Sequence, residues 1–319
     1  MRSVETIPLE EIAAAAARLE GEIVRTPLVR LQVDAPGSIW LKLENLQPIG
    51  SFKVRGAGNA MAQLGPEGLA DGVYTASAGN MAQGVAWNAR RLGVPCAAVV
   101  PDHAPATKLE AIQRLGAKIV RVPFDTWWQV LLDHRYEGMD GVFIHPVTDP
   151  AVIAGNGTIG LEILEDLPEV DSVVIPFGGG GLSCGISSAI RARKPDTAIY
   201  AAEVETAAPL AASFATGEPT TIDYTPSFVD GIGGKSVLPE MWSLARSLID
   251  DSIVVSPSAI ADAVRMLVEM NRVVAEGAGA APVAAALARG EELGNVVCVV
   301  SGGNIDVSKL TKILEGEVP

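Results

Sequence analysis

The sequence predicts an α/β protein of two domains, each an open, mostly parallel sheet flanked by helices. Short runs rich in β-branched residues alternate with helical patterns from Gly72 onward, and the alternation stops near Asp149-Pro150 and then restarts. Strand–helix–strand alternation of this kind is typical of parallel βαβ units. The chain of 319 residues also exceeds the length at which a single hydrophobic core usually stops growing.

The first predicted element is a surface helix around Ile12–Ala17, an apolar run flanked by Glu10, Glu11 and Arg18. This run is far too short to cross a bilayer, and its surroundings lack the pattern of a signal peptide. We therefore expect no membrane segment and no association with a membrane.

The first alternating series predicts four strands and two helices. Its helical patterns end at Gly93 and Gly116, as expected of C-terminal caps. In chain order the strands are GVYTA, CAAVV, AKIVRV and GVFIH, and the helices are NMAQGVAWNARRLG and ATKLEAIQRLG.

The second series begins after the break. It runs through the strand SVVIPF, the helix LSCGISSAIRARK and the strands AIYAAEV, DSIVV and NVVCVV. The break predicts a small domain of residues 71–149 inserted into a large domain of residues 1–70 and 150–319. A cleft at the carboxyl ends of such strands is where α/β proteins usually bind ligands.

Composition narrows the class of ligand. With 24 basic and 38 acidic residues the formal net charge is −14, and no dense basic run interrupts this balance. Such a charge repels nucleic acid and anionic membranes, so a small zwitterionic or neutral substrate is favoured. The cysteines Cys96, Cys184 and Cys298 have no disulfide-framework spacing. They indicate reduced, buried thiols and a cytoplasmic protein.

Lys53 lies between Phe52 and Val54, just after a Gly-Ser break in LQPIGSFKVRGAGNA. A solvated lysine usually has polar neighbours, so this side chain is expected to point inward. An apolar pocket disfavours the ammonium form, which makes the amine a usable nucleophile toward an aldehyde.

A turn of four glycines, Gly178–Gly181, follows the strand Ser172–Phe177 and precedes a helix. Its backbone amides and the helix dipole form an anion site without any side-chain charge. The spacing fits neither the phosphate loop of nucleotide triphosphatases nor the dinucleotide fingerprint. A site for one small phosphate is favoured over a tight turn, because four glycines lose much entropy on folding.

Two further turns follow predicted strands. In TASAGNMAQGVAW the free amides of Ser77 to Asn80 can hold a carboxylate, although Asn80 is equally consistent with a helix N-cap. In NVVCVVSGGNID, Ser301 is either part of an ordinary turn or a neutral hydrogen-bond partner for a heterocyclic nitrogen. Pyridoxal phosphate requires this combination of an amine, a phosphate site and a partner for the ring nitrogen.

Several segments resemble the serine/threonine dehydratase and serine racemase family, pyridoxal-phosphate enzymes of fold type II with the tryptophan-synthase-β fold. The resemblance covers nearly the whole chain, and the SFK-x-RGA element with the tetraglycine loop is its most specific part. The matching segments are EGEIVRTPL, NLQPIGSFKVRGAGNA, SAGNMAQGVAW, PFGGGGLSCG, AEGAGAAPVAAAL and VSGGNID.

The resemblance implies roles for particular residues. Lys53 would form the Schiff base with the cofactor and later move the Cα proton. Asn80 would bind the phenolic oxygen, and Ser301 would face the pyridine nitrogen. The remaining cofactor contacts would be Phe52, Gly178, Gly179, Gly180, Gly181 and Leu182, and the substrate contacts Ser77, Ala78, Gly79, Asn80 and Met81.

Four positions depart from the family pattern. Racemases have a serine at Ala78, so racemisation should be weak or absent, and Met81 replaces a usual histidine, which favours a larger or more apolar substrate side chain. A metal site of racemase-like members is partly retained, with Glu203 and the carbonyl of Ala207, for Mg²⁺, Ca²⁺ or K⁺. Pro209 stands where its second acid would be. Asn156 replaces a common glutamine, a change without an interpretation from sequence.

We expect a lyase that eliminates the β-hydroxyl of L-threonine, L-serine or a bulkier 3-hydroxy amino acid, releasing a 2-oxo acid and ammonia. A hydroxyl facing the pyridine nitrogen does not force its protonation, so a long-lived carbanion is less stabilised and elimination is favoured. The resemblance also suggests a homodimer. The alternatives are β-replacement, threonine-synthase-like chemistry, serine racemase-like activity and a non-catalytic binder of the cofactor.

Other features remain without a catalytic role. His103, His134 and His145 lie in unrelated segments without metal-ligand spacing and are expected to be surface or loop histidines. Glu276 precedes a helix and is equally consistent with a cap and with a residue that lines the cleft.

Overall fold

A computed structural model describes residues 3–33 and 37–319 of the chain. The described part forms two parallel-type sheets and twelve α-helices. The strands are β1 Leu28–Arg30, β2 Ser38–Leu43, β3 Val73–Ala76, β4 Cys96–Pro101, β5 Lys118–Val122, β6 Val142–Phe143, β7 Ser172–Pro176, β8 Ala198–Val204, β9 Asp251–Val255 and β10 Asn295–Val300. The helices are α1 Leu9–Leu19, α2 Lys53–Gly68, α3 Asn80–Leu92, α4 Ala106–Arg114, α5 Phe124–Asp133, α6 Pro150–Asp166, α7 Gly181–Arg193, α8 Pro209–Thr216, α9 Pro239–Leu248, α10 Pro257–Met266, α11 Gly277–Arg289 and α12 Val307–Leu314.

The six-stranded sheet has the order β1-β2-β10-β7-β8-β9, and the four-stranded sheet has the order β5-β4-β3-β6. Every pairing is parallel except that of β1 with β2. The prediction of an α/β protein with two open, mostly parallel sheets is therefore confirmed. No described helix has the length and hydropathy needed to cross a membrane.

Local sequence explains where several helices begin and end. Gly93 ends α3 with a positive φ of 71°, a conformation that a glycine adopts at no steric cost. Asp149 caps α6 by accepting hydrogen bonds from the amides of Ala151 and Val152, and Pro150 occupies the first position of that helix.

The small sheet does not have a separate core on the side facing α2 and α6. Ala57 and Met61 of α2 and Val152 of α6 belong to the same buried cluster as Val73 and Val85. Helices α2 and α6, which flank the predicted boundaries, thus share a buried core with the four-stranded sheet. The division at residues 71–149 stays a prediction.

Because β3, β7 and β10 are all parallel strands, each delivers the residue after it to the carboxyl edge of its sheet. The three turns singled out in the sequence follow these strands, at Ser77, at Gly178 and at Ser301. The segment between β6 and α6 connects the two sheets beside them.

Candidate active site

Lys53 is the first residue of α2, and the residues before it are fixed to the six-stranded sheet. Ser51 forms a bridge with Gly302, and the amide of Phe52 donates to the carbonyl of Ser301 at 3.0 Å. The half-buried Lys53 side chain passes over the Phe52 ring, with Nζ 5.0 Å from the ring centroid. Its Nζ donates a hydrogen bond to the carbonyl of Pro146 at 3.0 Å.

The surroundings of Lys53 lower the pKa of its amine to about 8. Burial is the main cause, because it disfavours the ammonium form, and the negative charge of Glu276 opposes it by raising the pKa. A substantial fraction of the amine is therefore uncharged near neutral pH. The inward position expected of Lys53 agrees with this placement.

The four glycines form a loop between β7 and α7. Gly180 has a φ of 96°, and Gly179 and Gly181 lie against Val147 in the segment after β6. A Cβ at Gly179 would lie 2.6 Å from Cγ2 of Val147, and one at Gly181 would lie 2.7 Å from the Val147 carbonyl oxygen. Among the described residues, none accepts a hydrogen bond from the amides of Gly178–Gly181. These donors remain available for an anion.

Asn80 belongs to a chain of hydrogen bonds. Its Nδ2 donates to Oε1 of Glu276 at 2.8 Å, and its Oδ1 accepts from Nδ2 of Asn304 at 2.8 Å. Nδ2 of Asn304 also donates to the carbonyl of Ile49 at 2.9 Å. The alternative of Asn80 as an N-cap is wrong, because Gly79 occupies that position and Asn80 is the first residue of α3.

Glu276 lines this site and does not cap α11 with its side chain. The pKa of its carboxyl is raised to about 7, mainly by burial and also by the charge of Asp230, while the hydrogen bond from Asn80 opposes the increase. Asn304 was not singled out in the sequence, although it lies only three residues after Ser301 in SGGN.

The turn after β3 brings Ser77, Ala78 and Gly79 next to Asn80, and the amide of Gly79 donates to Oγ of Ser77 at 3.2 Å. Ser301 is buried directly after β10. Leu182, in the first turn of α7, is buried in the core cluster that contains Phe52.

Met81 is not brought into this group. Its side chain is 2% exposed and packs in the apolar cluster with Met61 and Val85. The expectation that Met81 shapes the space for the substrate side chain receives no support from this placement.

Glu203 at the end of β8 is satisfied by protein donors. Its oxygens accept from the amides of Leu210 and Ala211 at 2.9 and 2.8 Å and from Oγ of Ser252 at 2.6 Å. The carboxylate thus caps the first turn of α8, and Pro209 fits as the first residue of that helix. These hydrogen bonds satisfy the Glu203 carboxylate without a cation beside Ala207. Burial raises the pKa of this carboxyl, and the hydrogen bonds oppose the increase.

The three histidines lie outside the helices and strands, as expected of loop histidines, but two of them pack against each other. His134 and His145 stack on each other, with ring centroids 4.3 Å apart, and His145 is buried. Together with Glu240 they form a group of possible metal ligands. His145 offers this group no free nitrogen, since Nδ1 faces the amides of Val147 and Thr148 and Nε2 faces the carbonyl of Leu131.

Comparison with known proteins decides the family. Residues 19–302 match the family described as "Pyridoxal-phosphate dependent enzyme". The chain belongs to the pyridoxal-phosphate dependent enzyme family. It is 42% identical over 314 residues to L-threonine ammonia-lyase of Thermotoga maritima. The matched region covers 97% of this chain and 78% of that protein.

Solved structures of the family's relatives have the same fold. Maize serine racemase superposes with a TM-score of 0.88 at 33% identity, covering 98% of both chains. Threonine deaminase isoform 2 from Solanum lycopersicum gives a TM-score of 0.89 at 32% identity, covering 99% of this chain and 90% of that one. The predicted fold type II is thereby confirmed.

The residues of this family member fit pyridoxal phosphate. The loop Gly178–Gly181 has amides without protein acceptors and leaves no room for side chains at Gly179 and Gly181. Lys53 supplies an amine with a lowered pKa. A phosphate group and an aldehyde are the two features of the cofactor that such donors recognise.

Proposed function

We propose that this enzyme is a pyridoxal-phosphate-dependent dehydratase that eliminates the β-hydroxyl of a 3-hydroxy amino acid to give a 2-oxo acid and ammonia. The observation that carries the proposal is the Lys53 amine, half-buried between Phe52 and Pro146 with its pKa lowered to about 8. The similarity to L-threonine ammonia-lyase supports the reaction class.

The proposed chemistry divides between the cofactor and the chain. The chemistry that bound pyridoxal phosphate supplies is an electron sink for the pair left when a bond to Cα breaks. Lys53 binds the cofactor and afterwards takes the proton from Cα, because a base with a pKa near the operating pH transfers protons efficiently in both directions.

Other residues bind and orient. The amides of Gly178–Gly181 would hold the phosphate, with Leu182 and Phe52 alongside, and Ser301 would face the ring nitrogen. Asn80 would hydrogen-bond the phenolic oxygen, held in place by its hydrogen bonds with Glu276 and Asn304. Ser77, Ala78, Gly79 and the amide of Asn80 bind the substrate carboxylate at the start of α3, where the helix dipole favours a negative charge.

We infer that L-threonine and L-serine are the leading substrates. Ala78 has no group able to carry a proton, so the chain lacks a second base at this position. This absence favours elimination over racemisation. The expectation of a bulkier 3-hydroxy amino acid as substrate rested on Met81 facing the substrate. Met81 is buried, so its placement does not favour such a substrate.

We also propose that the enzyme forms a homodimer and that it is located in the cytoplasm. Leu46 and Val274 are both substantially exposed, at 50% and 41%, and Asn45, the residue before Leu46, donates to the Val274 carbonyl. These exposed apolar side chains support the proposal of a homodimer. The buried free thiols of Cys184 and Cys298 support a reducing compartment such as the cytoplasm.

Replacement of the amine tests the proposal. Lys53→Ala should abolish release of 2-oxobutanoate from L-threonine and should prevent borohydride from fixing the cofactor to the protein, with the circular dichroism unchanged. The exposed Lys312→Ala is the matched control and should retain full turnover. Steady-state elimination by Lys53→Ala would contradict the proposal. A requirement for an added nucleophile in the unaltered enzyme would favour β-replacement instead.

A further inference from the structure

The four residues His145–Thr148 contact both principal parts of the proposed site. The carbonyl of Pro146 accepts the hydrogen bond from Nζ of Lys53 at 3.0 Å. Val147 occupies the space next to the phosphate loop, within 2.6 to 2.7 Å of where side chains at Gly179 and Gly181 would begin. The shape of this turn therefore sets the position of the Lys53 acceptor and of one wall of the loop.

The ring of His145 holds the turn together. Its Nδ1 lies 3.1 Å from the amide nitrogen of Val147 and 2.9 Å from that of Thr148, and 3.0 Å from Oγ1 of Thr148. Amides only donate, so Nδ1 must be the unprotonated acceptor. Nε2 then carries the proton and donates to the carbonyl of Leu131 at 3.2 Å. The tautomer is fixed by these contacts.

The environment keeps this ring neutral. His145 is buried, stacks on His134 and meets the edge of Phe143. The pKa of His145 is lowered to about 3, mainly by burial and also by the neighbouring charge of His134. A proton on Nδ1 would also set an N–H against two amide N–H groups. The ring thus remains an acceptor throughout the neutral pH range.

We propose that His145 is a positioning residue for the reaction: by accepting the Val147 and Thr148 amides, its neutral ring shapes the turn that presents the Pro146 carbonyl to Lys53 and the Val147 side chain to the phosphate loop. This inference rests on the proposed roles of Lys53 and Gly178–Gly181. His145 acts through the turn and touches neither reacting group.

The Pro146 carbonyl matters because of how an uncharged amine reacts. An amine that donates one hydrogen to a fixed carbonyl has its lone pair directed away from that carbonyl and available to an aldehyde. Displacing the carbonyl leaves the amine free to rotate, and a misplacement of about 1 Å lowers reactivity severely.

Three substitutions separate the two hydrogen-bonding functions of the ring. His145→Asn keeps an oxygen acceptor on Cγ, which can accept hydrogen bonds from the amides two and three residues ahead, as asparagine does in turns. This variant loses the hydrogen bond to the Leu131 carbonyl. His145→Gln keeps a donor for Leu131 and loses the acceptor for the turn. His145→Phe keeps the ring shape and loses both.

The experiment uses the apoprotein and the loaded enzyme. Cofactor affinity is measured from the quenching of tryptophan fluorescence on titration with pyridoxal phosphate, and the Lys53 adduct by mass after borohydride treatment. We expect His145→Phe and His145→Gln to weaken cofactor binding and slow adduct formation about tenfold or more, and His145→Asn to stay within about threefold of the parent. kcat should fall in the same order, with KM for L-threonine little changed.

The outcomes are distinct. Parental affinity and adduct formation in both the Phe and the Gln variants would overturn the inference, as would an Asn variant that is as defective as the Gln variant. If the Phe variant does not fold, the comparison of Asn with Gln still decides. Absence of a borohydride-stable adduct at Lys53 in the unaltered protein would instead overturn the proposed function, and with it the role of His145.

Discussion

At the scale of single residues, the reactivity of Lys53 depends on two opposing influences. Burial lowers the pKa of the amine from 10.5 to about 8, and the charge of Glu276 limits the decrease. With a pKa of about 8, about one-tenth of the amine is uncharged at pH 7, against fewer than about one in a thousand for a solvated lysine. Glu276 therefore tunes the residue that the proposed reaction depends on most.

Glu276→Gln tests this coupling through its pH dependence. The negative charge of Glu276 stabilises the Lys53 ammonium, so its removal should lower the pKa of Lys53 below 8. The rate of borohydride trapping of pyridoxal phosphate on the apoprotein should then reach its midpoint at a lower pH than in the parent. Below the Glu276 pKa of about 7 the parent carboxyl is already neutral, so the two curves should converge there.

The exposed Glu269→Gln provides the control, with an expected midpoint equal to that of the parent. An unchanged midpoint in Glu276→Gln, or a shift to higher pH, would contradict the assigned direction of the coupling.

Whether a site residue can be predicted from the sequence depends on whether local sequence or distant contacts determine its position. Lys53, the glycine loop and Ser301 lie in motifs or directly after strands, so local sequence predicts them. Glu276 reaches Asn80 across 196 positions of the chain, and no local pattern chooses between its two alternatives. The role of His145 depends on a turn that it forms with its own neighbours and on contact with Leu131 and His134, which spacing alone does not reveal.

At the scale of elements, three helices that carry the site pack through glycines. A Cβ at Gly56 of α2 would lie 2.8 Å from Oδ1 of Asn156, and a Cβ at Gly157 of α6 would lie 2.9 Å from the carbonyl oxygen of Gly185 in α7. Asn156, which had no interpretation from sequence, donates from Nδ2 to the carbonyl of Gly181 at 3.3 Å. Because α2 begins at Lys53 and α7 at the phosphate loop, this packing sets their separation.

Gly155→Ala tests the packing. A Cβ at Gly155 would lie 2.5 Å from the carbonyl oxygen of Arg55, a backbone atom that cannot rotate away, so α2 and α6 must move apart. We expect a loss of about 1–3 kcal/mol in the free energy of unfolding, together with weaker cofactor binding. Urea denaturation of the apoprotein measures the first and titration with pyridoxal phosphate the second.

Gly234→Ala is the matched control, because its nearest contact would be 3.9 Å away. Its free energy of unfolding should remain within about 0.5 kcal/mol of the parent. Equal stability of Gly155→Ala and the parent would show that the helices tolerate a larger separation than the glycine contacts indicate.

At the scale of the whole molecule, the alternation of strands and helices predicted two parallel sheets because each βαβ unit is a local pattern. The relation between the sheets is not local. It depends on α2 and α6, whose side chains pack with the small sheet, and on contacts such as the pair of Lys108 in α4 with Asp230. Lys108 and Asp230 line a cavity of about 250 Å³ that also borders Glu276 and Asn304.

The Lys108–Asp230 pair, at 2.7 Å, joins a helix of the four-stranded sheet to a loop that precedes α9. We expect Lys108→Met to raise KM for L-threonine by at most about fivefold with kcat nearly unchanged, because a partly exposed pair contributes at most about 1 kcal/mol. Salt screens such a pair, so KM of the parent should rise with ionic strength and KM of the variant should not. Arg265→Met, which removes a pair within α10, is the control and should behave as the parent does. An identical salt dependence of KM in the parent and in Lys108→Met would show that this contact does not hold the two sheets together over the site.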